Sequence, residues 1–362
     1  MMTKAGEKIP VSILTGFLGS GKTTVLNRLV RHPKMAKALV IINEFGEIGL
    51  DHDLVERATD DMVLLQSGCL CCTVRSDLID TLQTMVLKAE RGEIARFDRV
   101  VIETTGLADP APILQAFMSE PAVTNFFDLD GVIATVDAQS GDATLDRHME
   151  AVKQSAVADR ILLTKIDLAD QAQIMGIESR LRALNPAAPV VRTAIASEID
   201  PALLFDVGLY DPASKSLDVQ RWLDDEKYVG HHDDHEDEHH HHHAHDLNHH
   251  DVNRPDVNRH DDHIHAVCMV FDEPIPGEVF DRWFSLLLLL RGPDLLRFKA
   301  IVHVEELPGP LIVHGVQHVI YPPTALKEWP SSDHRTRMVF ITYDIDEATL
   351  RSSFKEFADR AV

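Results

Sequence analysis

Cysteine is scarce in this 362-residue chain, and so are aromatic residues and long apolar runs. Of 4 cysteines, three crowd together as Cys69, Cys71 and Cys72, which excludes the disulfide framework of a small exported domain. The longest purely aliphatic run, residues 286–290, is far short of the roughly 20 residues a membrane helix needs, so no membrane partner is expected. Residues 1–10 lack the apolar stretch of an export signal, and a cytoplasmic location is expected. Basic residues number 35 against 58 acidic ones, and the formal net charge of -23 leaves no basic footprint for nucleic acid. At 44% hydrophobic content the chain still builds a sizeable core, and its length points to two domains.

What is present divides the chain in three. Up to residue 227, β-branched apolar runs alternate with helical patterns, at 11–14, 38–42, 99–102, 131–136, 160–163 and 189–191. Residues 62–66 offer a further strand. Continuous apolar strands between helices imply an α/β fold, a doubly wound, mostly parallel sheet. Residues 228–264 are a low-complexity His, Asp and Glu tract with too few apolar groups to offset ordering entropy, which reads as a disordered linker. From 265 to 362 a smaller α+β domain is expected, with strands at 266–271, 295–302, 311–320 and 337–343 and helices at 278–290 and 347–360. Cys268 lies alone in the first of these strands, as a core residue would.

The first strand runs into Gly16-Phe17-Leu18-Gly19-Ser20-Gly21-Lys22-Thr23, with Thr24 opening a helical pattern. This is the P-loop spacing in its required strand–loop–helix context. The glycines let backbone N–H groups converge on phosphate oxygens, and the helix N-terminus adds dipole charge. Lys22 reaches the β- and γ-phosphates in such a loop, and Thr23 ligates Mg²⁺. Another strand ends in Glu103-Thr104-Thr105-Gly106. An acid there holds Mg²⁺ through water or orients the attacking water, and the Gly106 N–H is placed to sense the γ-phosphate. Lys22 and Glu103 are therefore the catalytic candidates. A third strand ends in Thr164-Lys165-Ile166-Asp167. The Asp167 carboxylate accepts from guanine N1–H and its 2-amino group, two donors adenine lacks, while the Lys165 stem covers the base. Thr164 stands where such motifs usually carry Asn.

Cys69-Leu70-Cys71-Cys72 supplies two or three thiolates to a soft or borderline ion such as Zn²⁺, Cu(I) or Co²⁺, with an outside Glu, His or water completing the shell. Asn43-Glu44-Phe45-Gly46-Glu47 follows the second strand, where a nucleotide-sensing segment sits, and Glu47 is the candidate acid for Mg²⁺ or for a metal shared with the cysteines. Between His231 and His250 many imidazoles interleave with carboxylates, a pattern that gives several weak metal sites or a solvated linker that binds metal adventitiously.

Together, these segments resemble the CobW family of metal-handling GTPases, relatives of the nickel-delivery GTPases of urease and hydrogenase. In the second module Leu295-Leu296-Arg297-Phe298-Lys299, His314-Gly315-Val316-Gln317-His318 and the stretch from Trp329 to Arg337 resemble the family's C-terminal domain. The resemblance implies slow GTP hydrolysis, zinc (or cobalt) at the cysteines and delivery to a client metalloprotein, with a homodimer as the candidate assembly. Thr105 to Pro110 looks more like the zinc-type members than the cobalamin-type ones. Two alternatives stand beside this reading: a metal buffer or sensor with incidental GTPase activity, and cobalt delivery for cobalamin synthesis. If the tract is a linker, deleting residues 230–262 leaves the urea-unfolding midpoint and GTP turnover unchanged and lowers only the number of weakly bound zinc ions. Loss of either property in the deleted protein rejects the linker reading.

Overall fold

The computed structural model describes residues 8–45, 62–67, 71–194, 197–205 and 263–360. The low-complexity tract expected at 228–264 falls almost wholly outside them. The first unit runs β1 (Ile9–Gly16), α1 (Lys22–Val30), β2 (Ala38–Phe45), β3 (Met62–Ser67), α2 (Cys71–Arg91), β4 (Arg99–Glu103), α3 (Ala111–Ser119) and α4 (Pro121–Thr124). It continues with β5 (Phe127–Asp137), α5 (Gly141–Arg147), α6 (Met149–Val157), β6 (Arg160–Thr164), α7 (Gln171–Leu184) and β7 (Val190–Arg192). These strands form one seven-stranded sheet in the order β3-β2-β4-β1-β5-β6-β7. Every pairing is parallel, so the residue 62–66 strand joins the sheet as its edge. Consecutive residues such as Ile13 and Leu14, or Val100, Val101 and Ile102, are all buried because helices cover both faces. One face packs Leu78 and Leu82 of α2 and Leu114 and Phe117 of α3. The other packs Leu26 and Leu29 of α1 on Leu14, Val40 and Val101.

The chain steps out from β1 to β2 and β3, returns to insert β4 beside β1, then proceeds on the other side through β5. The carboxyl ends of β4, β1 and β5 thus flank the point where the winding reverses, the usual ligand position in such sheets.

The second unit contains β8 (Ile264–Phe271), α8 (Gly277–Arg291), β9 (Leu295–Val302), β10 (Leu311–Val316), β11 (Val319–Ile320), β12 (Thr324–Ala325), β13 (Thr336–Tyr343) and α9 (Glu347–Arg360). Its six-stranded sheet is antiparallel, ordered β11-β10-β9-β13-β8 with β12 beside β10. An aromatic core under α8 and α9 joins Phe280, Trp283 and Phe284 to Phe298, Phe340 and Phe354. Cys268, expected in the core, is half-buried and packs beside Ile301, Ile312 and Val339. The single strand expected over 311–320 is instead a hairpin. Gln317 turns the chain with φ 54, and its N–H donates to Leu295 O at 2.7 Å. Gln-His is not one of the glycine-containing pairs that announce a two-residue turn, so the break had no sequence signal.

Side chains alternate along β9. Phe298, Ala300 and Val302 enter the aromatic core, while Arg297 and Lys299 point the other way and are buried all the same. The first unit covers that face. The Arg297 guanidinium donates to Val157 O at the end of α6 and to Asp159 Oδ1. Asp159 is fully buried and its second oxygen accepts the Val132 N–H at 2.9 Å. Lys299 Nζ lies 3.7 Å from the same carboxylate. Burial and the neighbouring Arg297 hold the Lys299 ammonium well below the usual lysine range. Val316, Val319 and Tyr321 join the core of the first unit, and His314 stacks on Tyr321 at 4.1 Å. Among the described residues no helix is long and apolar enough to cross a membrane.

Burial, with Lys299 and Arg297 nearby, pushes the His314 imidazole down to about 3. Folded protein therefore keeps this ring neutral at pH values where the unfolded chain, with an ordinary value of 6.5, takes up a proton. His314 contributes stability that is complete above pH 6.5 and is lost as pH falls toward 3. Urea unfolding should show a loss on the order of 1 kcal/mol per pH unit from this group between pH 6.5 and 4.5, and none from it above pH 6.5. His314→Phe, which keeps the ring stack, should flatten that slope; an unchanged slope refutes the assignment.

Candidate functional site

β1 delivers the chain into the P-loop at Gly16, which has φ 141. A Cβ there would lie 2.2 Å from Thr135 Oγ1 and 2.5 Å from Thr135 O, so β5 leaves room for no side chain. Gly19 and Gly21 also have positive φ, and Gly21 is the N-cap of α1. It offers no side-chain acceptor, which leaves the first N–H groups of α1, at Lys22, Thr23 and Thr24, directed at whatever anion the loop holds. Lys22 is 8% exposed, and its ammonium donates to Gly16 O at 2.9 Å and Phe17 O at 3.3 Å. The loop's own carbonyls thus hold that charge at its mouth. Ser20 Oγ pairs with Thr135 Oγ1 at 2.6 Å.

The end of β4 sits beside this loop. Thr23 Oγ1 donates to Glu103 Oε1 at 2.7 Å, and Glu103 is 4% exposed. A hydroxyl and a buried carboxylate side by side form an all-oxygen donor pair, which suits Mg²⁺. A Cβ on Gly106 would come within 2.5–2.8 Å of Leu18 Cδ2, N and Cα, so the segment after Glu103 lies directly on the P-loop backbone. Only glycine permits that approach.

On the other side, Thr164 shows why a threonine serves in the Asn position. Its hydroxyl donates to Ser20 O at 2.7 Å and lies 3.1 Å from Val136 O, tying the base-side turn to the phosphate loop. Lys165 adopts φ 56, and its ammonium pairs with Asp137 Oδ2 at 2.6 Å. Burial raises the Asp137 carboxyl, but the Lys165 ammonium, the Gln139 N–H and the Ser140 hydroxyl outweigh it and hold it below the usual carboxylate range. Asp167 is exposed in the turn two residues on. Asp137 escaped the sequence reading, although it is an acid at a strand's carboxyl end, the same signal that singled out Glu103.

The metal candidates are only partly within view. Cys69 and Glu47 lie outside the described residues, and Cys71 and Cys72 enter as backbone at the start of α2. Among the described residues no three His, Cys, Asp or Glu side chains are grouped to hold a metal. The strand register places the strands that precede them in sequence. Phe45 at the end of β2 pairs with Ser67 at the end of β3, Ile42 pairs with Glu103, and Leu14 pairs with Glu103 from the other side. The strands that precede the cysteines, Glu47, Thr104 and the P-loop in sequence therefore end side by side at one edge of the sheet.

The model of the CobW/HypB/UreG nucleotide-binding domain matches residues 10–192, and that of the CobW C-terminal domain matches residues 264–358. The chain belongs to the CobW family. It carries the P-loop GTPase domain of that family. It is 33% identical over 346 residues to the zinc chaperone YjiA of Escherichia coli (strain K12), covering 96% of this chain and 98% of that protein. It is 29% identical over 378 residues to the zinc chaperone CobW of a Sinorhizobium species, with 96% of each chain covered. The crystal structure of Zn(II)-bound YjiA GTPase from E. coli is similar with a TM-score of 0.69 at 28% identity, covering 97% of this chain and 99% of that one.

The Thr164 link gives a direct test. Thr164→Val should weaken GDP binding by about fivefold to tenfold, the value of roughly one hydrogen bond, while Thr164→Ser keeps affinity. Titration with a fluorescent GDP reads both; equal affinity in Thr164→Val and wild type refutes the link.

Proposed function

We propose that this CobW-family GTPase is a zinc chaperone. It holds its cargo at Cys69, Cys71 and Cys72, with Glu47 near, and GTP hydrolysis governs release to a client metalloprotein. The observation that carries this reading is the shared sheet edge, where β3, β2, β4 and β1 end side by side. The names of the full-length relatives, zinc chaperones, support zinc as the cargo.

Each residue has a task at that edge. The α1 N-terminus and Lys22 bind the phosphates and lower the charge that builds on them during transfer. Glu103 holds Thr23 and lies where an attacking water is oriented. The Gly106 backbone packs on Leu18, and its N–H meets the γ-phosphate end of the loop. Mg²⁺, which Thr23 and Glu103 are fitted to hold, supplies charge neutralisation on the phosphates. Asp167 and Lys165 select guanine. The segment carrying Glu47 then reports the γ-phosphate to the cysteines, one strand away. The histidine-rich tract favours a second reading, a metal buffer in which turnover is incidental.

A coupling measurement separates the two. Zn²⁺ is titrated into protein lacking residues 230–262, first with GDP and then with a non-hydrolysable GTP analogue. The chaperone reading expects affinities that differ by about 5- to 150-fold, and the same factor on nucleotide affinity when zinc is varied. A Cys71→Ser/Cys72→Ser variant should lose the difference. Identical zinc affinity in both nucleotide states rejects the switch and favours the buffer.

A further inference from the structure

The segment that follows Glu103 is gripped from two directions. Gln154 of α6, 1% exposed, donates through Nε2 to Gly106 O at 3.2 Å and to Ala108 O at 3.0 Å. Its neighbour Lys153 places Nζ 3.4 Å from Asp109 Oδ2. The second grip comes from the C-terminal domain. Gln317, at the tip of the β10–β11 hairpin, donates through Nε2 to the same Asp109 oxygen at 2.8 Å. Asp109 Oδ1 meanwhile accepts the Ala111 N–H at 3.0 Å, which fixes the start of α3.

The hairpin is built to present that amide. Gln317 occupies the left-handed region, a conformation that costs a side-chain-bearing residue energy and persists only when its surroundings impose it. Its N–H to Leu295 O at 2.7 Å and the burial of Val316 and Val319 against the first unit supply the constraint. At the other end of the segment Gly106 rests on Leu18 with no room for a Cβ. A displacement of Asp109 is therefore three residues from a close contact with the P-loop.

We propose that Gln317 is a positioning residue for GTP hydrolysis: acting through Asp109, the C-terminal domain holds the Gly106 segment in its place against the phosphate loop. The C-terminal domain thereby contributes to turnover, and a partner that shifts the hairpin alters hydrolysis without touching nucleotide. This rests on the reading of Gly106 as the γ-phosphate neighbour.

The test uses full-length protein and two kinds of variant. Gln317→Ala removes the amide and keeps the strained turn; Gln317→Gly removes the amide and relieves the strain. Both should lower kcat by about tenfold, the worth of roughly one hydrogen bond to a charged group, with KM and GDP affinity within about twofold of wild type. The thermal midpoint of Gln317→Ala should stay near the wild-type value, and that of Gln317→Gly should equal or exceed it. Gly106→Ala tests the underlying reading separately and should also slow turnover. If Gly106→Ala is slow while both Gln317 variants turn over at the wild-type rate, the proposal falls and the reading of Gly106 survives. If Gly106→Ala matches wild type, that reading falls and takes the proposal with it. Recovery of full activity in Gln317→Gly alone, or loss of GDP binding together with a lowered midpoint in both variants, shows a structural role for the turn and overturns the proposal.

Discussion

The Asp159 carboxylate lies where the two sheets meet, one oxygen taking the Val132 N–H at 2.9 Å and the other the Arg297 guanidinium. A buried ion pair is no great source of stability in itself, because desolvation consumes most of the attraction. Its importance is that neither partner tolerates the other's absence. Breaking such a pair costs about 3–5 kcal/mol, a large part of the roughly 5–15 kcal/mol that holds a domain folded. The pair therefore fixes how β9 sits on the end of α6, and with it the placement of the whole C-terminal sheet. The surrounding groups obey the same rule. His314 stays neutral, and the Lys299 ammonium is pushed well below its usual range, because burial removes both from water and Arg297 stands beside them.

α6 carries that placement toward the nucleotide site. Its carboxyl end, at Val157, meets Arg297, and one turn earlier Lys153 and Gln154 grip the segment from Gly106 to Asp109. A nine-residue helix spans only about 13 Å. Domain seam and phosphate loop are thus linked by a short, packed element rather than by a chain of mobile contacts. On the opposite side of the P-loop, β4, β2 and β3 end in a row at the same edge of the sheet.

The P-loop was legible from its spacing because phosphate binding depends on local backbone geometry: Gly16, Gly21 and Lys22 act within one turn of chain. The parallel sheet was legible from unbroken apolar runs, since only strands covered on both faces have them. Thr164 read as a departure from a motif. Its hydroxyl bond to Ser20 O, across 144 residues of sequence, shows what it does, and no local pattern contains that partner. Gln154 and Gln317 left no signal either, because a glutamine on a helix or a hairpin is unremarkable until its neighbour is known.

By itself, then, the sequence determined the elements whose physics is local: the phosphate loop, the alternation of strand and helix, the division into a parallel and an antiparallel sheet, and the set of residue types able to hold GTP and a soft metal. The tertiary structure alone decided which side chains meet across the chain. Arg297 and Lys299 alternate along β9 as an exposed polar face would, and they are buried only because a second domain covers them. Asp109 is an ordinary loop acid until the β10–β11 hairpin brings Gln317 to 2.8 Å. Periodicity reports which face of an element is covered; it carries no information about what covers it, and that is where this protein places the links between its domains.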